Sequence, residues 1–486
     1  MAWELRKMIS DDEYVARVRR HRPSALLPLI AQTSARFHTG AWGKHSSTLK
    51  FNPWALADAA RVSLAYGNEY RHDATHQDLE RILWLYSQLD DHLLRDEADL
   101  DSLERYLLRT SGEQLTLQES PYDNLARTAA VITHTSAARE PRCLRPGWEE
   151  DLFGTSLSTY VGIARLLWAA TLNAAGRFNP IWLEAPDMAP IHAVISVPDL
   201  TTVVEDHFVT DVDGFKLENK ERRLTSDSLR RRFEYNPLRG RPFLRGYGPG
   251  YLAPVTDLVW HKGSPLGIFY TGVARYGSAF AQDIGELFEA YVGRQLALWP
   301  NATVIPEITY GRTKKASVDW IVVTDELVLL VEVKSTRPTQ HLRLATDKRV
   351  EEVQRMLGHA YDQIDNTASL IKRQQKEFAS IPSDLPLQGL IVTMEPFHTA
   401  NGPSQRAHLP QTSIPVSVCS AGDLEHMVTI DDASLGQLLI ERADDPQRFT
   451  YGLREALTGH SRRPNSLLEA GWKSYPWHPS ATRSKP

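Results

Sequence analysis

Cysteine is nearly absent from this 486-residue sequence, with Cys143 and Cys419 the only two. That excludes a disulfide framework and a cysteine-based zinc site, and it makes a reducing cytoplasm the expected compartment. Long apolar runs are also lacking. None reaches the roughly 18–20 residues that a membrane span needs, so no membrane partner is expected. The opening stretch MAWELRKMISDDEY has no apolar segment of the secretory-signal kind. An excess of basic charge is missing too: the formal net charge is −5, and the chain as a whole is no polycation drawn to nucleic acid. Nor is there a phosphate loop. GAWGK (40–44) and RGYGPGY (245–251) lack the required spacing and the strand–loop–helix setting, and RGYGPGY reads as turns.

The remaining composition, 42% hydrophobic with 12 tryptophans, is that of a globular protein, and the length predicts two or three domains. Apolar residues three and four apart predict a mainly helical N-terminal domain over 1–177, including helices at 53–67 and 78–94 and one from Trp148 to the glycine at 176. Segment 101–133 has the same periodicity. From 178 to 276 the apolar stretches shorten and Pro and Gly punctuate them, which predicts a linking module rich in strands and turns. Residues 277–440 alternate helix and strand. A helix at 279–299 is followed by strands near 302–310, 316–324 and 327–335. A long helix over 345–378 and strands near 387–395 and 414–418 complete the order α-β-β-β-α-β. The fold class expected is therefore mixed α/β, a mixed sheet between helices. The extension 441–486 is expected to be mobile beyond about 460.

The chemistry gathers in SVDWIVVTDELVLLVEVKS, 317–335. Two apolar runs flank a turn signal, so a tight hairpin is expected. With Asp325 and Glu326 as the turn residues, Asp319 falls opposite Glu332, their β-carbons about 4.5–5.5 Å apart. Alternation puts Lys334 on the same face as Glu332, with Trp320 and Val331 on the other. Two carboxylates side by side among Val, Ile and Leu are costly unless something neutralises them. Mg²⁺ does so with one or two carboxylates, waters and a substrate phosphate. A lysine beside it can hold water or stabilise developing charge. The competing account is an ordinary ion pair of Lys334 with Asp319 or Glu332 at a solvated sheet edge.

Asp319, with Glu332-Val333-Lys334 beginning thirteen residues later, resembles the signature of the PD-(D/E)XK, or restriction-endonuclease-like, nuclease superfamily. GELFEAYV in helix 279–299 is similar to that superfamily's first core helix, which implies a further acidic ligand: Glu289 first, Glu286 second. GHAYDQIDNTASLI resembles the helix after its third strand and places Gln363 where a glutamine often faces the site. The resemblance spans about 277–425, a third of the chain. Val318 stands where the superfamily commonly has proline. The resemblance implies a Mg²⁺- or Mn²⁺-dependent nuclease acting on DNA. Asp319, Glu332, the Val333 carbonyl and Glu289 are the expected metal ligands, and Lys334 and Gln363 complete the catalytic set. RNA as substrate, or a non-cleaving nucleic-acid binder or scaffold on the same fold, are the alternatives. The layout also resembles bacterial nucleases linked to defence against foreign DNA.

Between Lys220 and Arg245 nine basic residues face three acidic ones, interleaved with Phe233, Tyr235 and Phe243. Arginines neutralise phosphates while aromatics stack on bases, so Arg230, Arg231, Arg232 and Arg241 are the expected nucleic-acid contacts. A docked structural module is the other reading of this segment. The helical N-terminal domain is an expected surface for a protein partner.

Overall fold

Short polar side chains mark where many of the helices begin. The computed structural model describes residues 8–38, 52–89, 99–114, 120–224 and 228–478. Ser10 and Thr75 each accept the backbone N–H three residues on, and Glu13 and Asp78 return the bond, opening α1 (Asp11–Val18) and, later, α4 (His76–Tyr86). Between them lie α2 (Pro23–His38) and α3 (Pro53–Tyr66). The expected extension of α4 to Leu94 falls largely outside the described residues, as does GAWGK. Then come α5 (Leu100–Gln114), α6 (Pro121–Thr128) and α7 (Leu157–Asn173), the last two capped by Ser120 and Ser156. The single helix expected from Trp148 is two: a short one ends at Gly154, whose φ of 72° stops it, and Ser156 starts α7 afresh.

The middle segment has more helix than expected. Its strands β1 (Arg177–Phe178), β2 (Val209–Thr210), β3 (Phe243–Arg245) and β4 (Tyr251–Leu252) are very short and form a sheet in the order β1-β4-β3-β2. Around them run α8 (Val197–His207), α9 (Val212–Glu221) and α10 (Pro265–Tyr276). The prolines taken for loop punctuation occupy first helical turns behind the caps Ser196 and Ser264, where a missing N–H costs nothing. RGYGPGY is the turn between β3 and β4, with Gly246, Gly248 and Gly250 all at positive φ.

The last large segment carries α11 (Ser278–Leu296), β5 (Thr303–Pro306), β6 (Thr309–Tyr310), β7 (Lys315–Ala316), β8 (Trp320–Val323), β9 (Val328–Lys334), α12 (His359–Lys372), β10 (Leu387–Thr393) and β11 (Val416–Ser420). Five strands make a mixed sheet, β11-β10-β9-β8-β5. The β9, β10 and β11 strands are parallel, and β8 runs antiparallel to both β9 and β5. Strands β6 and β7 pair apart from it. The long helix expected over 345–378 runs without a break from Arg349 to Lys372, with a widened turn at Gln354–Gly358 leading into α12. Alternate β9 side chains separate two cores. Leu329, Val331 and Val333 join Phe288 and Val292 of α11, while Leu330 joins Tyr361 and Ile364 of α12. The sheet is thus covered on both faces, as its continuous apolar runs require.

These cores do not divide where the sequence changes texture. One runs from Leu125 through α7 and α11 to the sheet, and another joins Tyr14 and Leu56 to Phe215 and Leu244. The C-terminal stretch is not loose through residue 478. After α13 (Leu435–Asp444), α14 (Ser466–Lys473) leads to a buried Tyr475, whose hydroxyl donates to the Leu125 carbonyl at 2.7 Å. Trp477 donates to the Ser158 carbonyl, and the Arg165 guanidinium lies 4.9 Å from its ring centre. Aromatic area among Pro and Ser supplied the adhesion. Among the described residues no helix is long and apolar enough to cross a membrane.

Candidate active site

The hairpin closes as its turn chemistry predicts. The Thr324 N–H donates to the Leu327 carbonyl at 3.0 Å, and Thr324 Oγ1 accepts from Glu326 and Leu327, leaving Asp325 and Glu326 at the tip. Trp320 lies opposite Val331 and Val323 opposite Val328. The same register brings Asp319 level with Glu332, but the ladder stops at Trp320 and the chain bends at Asp319. The Asp319 carboxylate turns along β9 and accepts the Val333 N–H at 2.7 Å. Helix α12 fixes the bend. Gln363 Nε2 donates to the Ser317 carbonyl at 2.6 Å, and one turn on, Thr367 Oγ1 accepts the Val318 N–H at 3.2 Å. Gln363, expected to face the reacting groups, spends its amide on the backbone two residues before Asp319.

Glu332 is 1% exposed. Its Oε1 accepts from Lys334 Nζ at 2.6 Å, while Oε2 is buried with no hydrogen-bond partner among the described residues. Burial first, then the Asp319 charge, push this carboxyl up to about 8 against the pull of Lys334 and of the Asp319 backbone N–H. Burial likewise raises Asp319, aided by Glu307 and opposed by the Val333 N–H and Lys334.

Helix α11 brings Glu289 to the same place. At Gly293 a Cβ would come within 2.2 Å of the Trp320 ring, and at Gly285 within 3.1 Å of Ser335 Oγ. The two glycines flank Glu289 four residues away on either side, so all three share the helix face laid against this end of the sheet. Trp320 Nε1 donates to the Glu289 carbonyl at 3.1 Å. The Glu289 side chain is exposed at the rim, yet its carboxyl is pushed up to about 7. Partial desolvation leads, then the charges of Asp319, Glu307 and Glu286, with Arg139 opposing.

Two residues escaped the sequence reading. Glu307 continues the β5–β8 register, in which Pro306 lies opposite Trp320, so it falls level with Asp319. The counting that paired Asp319 with Glu332 would have found it, had the loop between β5 and β8 been as short as the hairpin turn. Arg337, three residues past Lys334, lies 3.7 Å from the ring centre of Phe269, and its Nη1 is buried with no partner among the described residues.

The donor set suits a hard cation. Among the described residues no three His, Cys, Asp or Glu side chains converge into a ready-made metal cage. Mg²⁺ does not require one, since one or two carboxylates with waters and phosphate suffice. Asp319 and Glu332 supply two, one of them with a buried oxygen lacking a donor. The Val333 N–H already reaches Asp319, and its carbonyl faces the same edge of β9.

At the centre of the basic stretch, Arg231 and Arg232 are not open to a phosphate, while Arg222, Arg223, Arg241 and Arg245 around them are exposed. Arg231 is 4% exposed and grips Asp11 at 2.7 Å and Asp58 at 2.9 Å. Burial would raise Asp58, but Arg231 and Arg61 hold its carboxyl below the usual range. Arg232 pairs with Glu113 and lies 4.3 Å from the Phe233 ring centre. Arg230, half-buried, is likewise engaged with neighbouring groups. Arg241 is exposed, though its Nη1 donates to the Val209 carbonyl at 2.8 Å. Acidic partners far away in sequence, invisible to a local charge count, turn Arg231 and Arg232 inward as a clasp on α1, α3 and α5. The chain matches no protein-family model, no curated protein and no solved structure.

Proposed function

We propose that this chain is a Mg²⁺- or Mn²⁺-dependent nuclease that hydrolyses phosphodiester bonds of DNA, built on a restriction-endonuclease-like core. The observation that carries the reading is the buried Oε2 of Glu332, which meets no donor within hydrogen-bond distance among the described residues, beside a second carboxylate and with the Lys334 ammonium on its other oxygen. The element order α11, β5, β8, β9, α12, β10 supports it, as do the acids gathered where β8 stops and β9 continues. Asp319 and Glu332 would hold the cation, with the Val333 carbonyl beside them and Glu289 at the rim. When bound, the ion supplies Lewis-acid charge to the phosphate and acidifies water. Lys334, anchored on Glu332, keeps a compact positive charge where negative charge grows during attack on phosphorus. Gln363 and Thr367 act one step back, fixing the bend that aims Asp319.

The 2.6 Å contact between Lys334 and Glu332 also favours a second reading, a structural ion pair. That reading accounts for Oε1 alone, and it leaves Oε2 unexplained and Asp319 with no role beyond accepting the Val333 N–H. Incubation of the purified protein with circular DNA, linear DNA and matched RNA, in Mg²⁺, Mn²⁺ or EDTA, separates the two. Metal-dependent cutting that EDTA abolishes is the expected result, and circular substrate reads out endonuclease action. Intact substrates under every condition would leave the ion pair as the better account.

A further inference from the structure

Next to the acidic site lies a cavity of about 300 Å³ that none of the proposed metal ligands lines. It sits at the small end of ligand pockets, about 300–1,000 Å³, with room for one flat ring system. Trp148 and Leu144 form one wall and Leu287 of α11 another, while Arg139, Glu286 and Asp283 carry its charge. The Trp148 wall is braced: its ring packs on Phe280 and Phe153 with centroids 5.9 and 6.0 Å away. The loop that forms it is tied to α11, because buried Asp283 accepts the N–H groups of Arg142, Cys143 and Leu144 at 2.9, 2.7 and 3.0 Å. Three charge-assisted bonds on one carboxylate make a pre-organised wall.

We infer that this cavity receives one unstacked nucleobase, so that the substrate is single-stranded at the point of cleavage. The inference rests on the nuclease reading of the neighbouring acids. Glu286 and Glu289 are one turn apart on α11, and the Glu286 charge acts on Glu289, which puts the pocket beside the metal ligands. Arg139 lies 4.0 Å from Glu286 with its side chain 84% exposed, a guanidinium free to meet the backbone phosphate of the same nucleotide. Glu286 accepts from an exocyclic amino group, and the indole and aliphatic walls take the base's faces. A base reaches such a pocket only out of the helical stack, and that costs least in a single strand.

The test uses the full chain with Ca²⁺ in place of Mg²⁺, with the oligomers checked for integrity. Affinities are measured for a short fluorescein-labelled single strand, its blunt duplex, and an abasic strand of equal length. The single strand should bind roughly 10-fold tighter than either of the others, as expected for one stacked base. Ala137→Phe, which plugs the cavity without emptying the core, should bring the single strand down to the abasic value. Its melting temperature and Mn²⁺ titration should match the wild type, and Trp148→Leu should act in the same direction. Equal affinities for all three oligomers, or no effect of Ala137→Phe, overturn the pocket and leave the nuclease standing. Failure of the wild type to bind or cut any nucleic acid, with Mn²⁺ present, overturns both.

Discussion

Replacing Glu332 with glutamine keeps the shape of the side chain and removes its charge, and the outcome turns on which account of the site is right. In the folded protein burial and the Asp319 charge push this carboxyl up to about 8, against an ordinary value near 4.5. Between those values the folded chain holds a proton that the unfolded chain has released. The stabilisation is therefore fully present below about pH 4.5 and is lost as pH rises through about 8. At about 1.36 kcal/mol per pH decade the ceiling is roughly 5 kcal/mol. Sharing of the proton with Asp319 and relaxation of the side chain bring the expected loss to about 2–4 kcal/mol. An unfolding entropy of about 2.1 cal/mol/K for each of 486 residues gives about 1 kcal/mol/K, so the melting temperature should fall by about 2–4 °C.

Glu332→Gln should remove this slope. In EDTA the variant should melt with the wild type at pH 5 and about 2–4 °C above it at pH 8.5, read by differential scanning fluorimetry across pH. Mn²⁺ should raise the wild type at pH 8.5 by mass action and leave the variant where it was. The ion-pair account gives the opposite sign: stripping Lys334 of a buried ionised partner destabilises by about 3–5 kcal/mol at pH 8.5. A variant that melts below the wild type at high pH would refute the reasoning.

Lys334→Ala should lose about 10²–10³-fold in cleavage rate while Mn²⁺ titration and melting stay close to wild type, and Lys334→Arg should recover only part, because a planar fork replaces a point charge. Near wild-type cutting by Lys334→Ala would remove the hairpin from the chemistry. Gly293→Ala drives a methyl into the Trp320 ring; a cost of about 1–3 kcal/mol with weaker Mn²⁺ binding is expected, since α11 and Glu289 must move, and unchanged calorimetry would count against that placement. Arg231→Ala should destabilise by about 3 kcal/mol in chemical denaturation and leave the salt dependence of DNA binding unchanged, because its guanidinium is spent on Asp11 and Asp58.

How much of this was legible in the sequence depends on how far apart the cooperating residues lie. The Asp319–Glu332 register could be counted because a two-residue turn separates its strands and the side-chain period of a strand is two. One bend was not countable. Thr367 and Gln363, nearly fifty residues downstream, hold the chain where β8 begins and rotate Asp319 onto the Val333 N–H. Glu307 hid for a related reason: its register with Asp319 passes through a longer loop and an extra ribbon, β6 with β7. The arginine stretch misled most. A run of like charge reads as a solvated face only while its counter-charges are out of view, and Asp11, Asp58 and Glu113 come from helices more than a hundred residues earlier.

The contrast between the two charge clusters is itself an argument about function. At Arg231 the protein has matched buried charge with buried charge, and two arginines hold Asp58 below the usual carboxylate range, although burial pushes Glu113 beside Arg232 up to about 7. At Glu332 it has left acid beside acid, one oxygen without a donor and both carboxyls raised. A chain able to neutralise the first cluster with its own arginines had the means to neutralise the second. Leaving it unbalanced costs stability, and on the proposed metal-dependent function a cation arriving from solution would offset that cost.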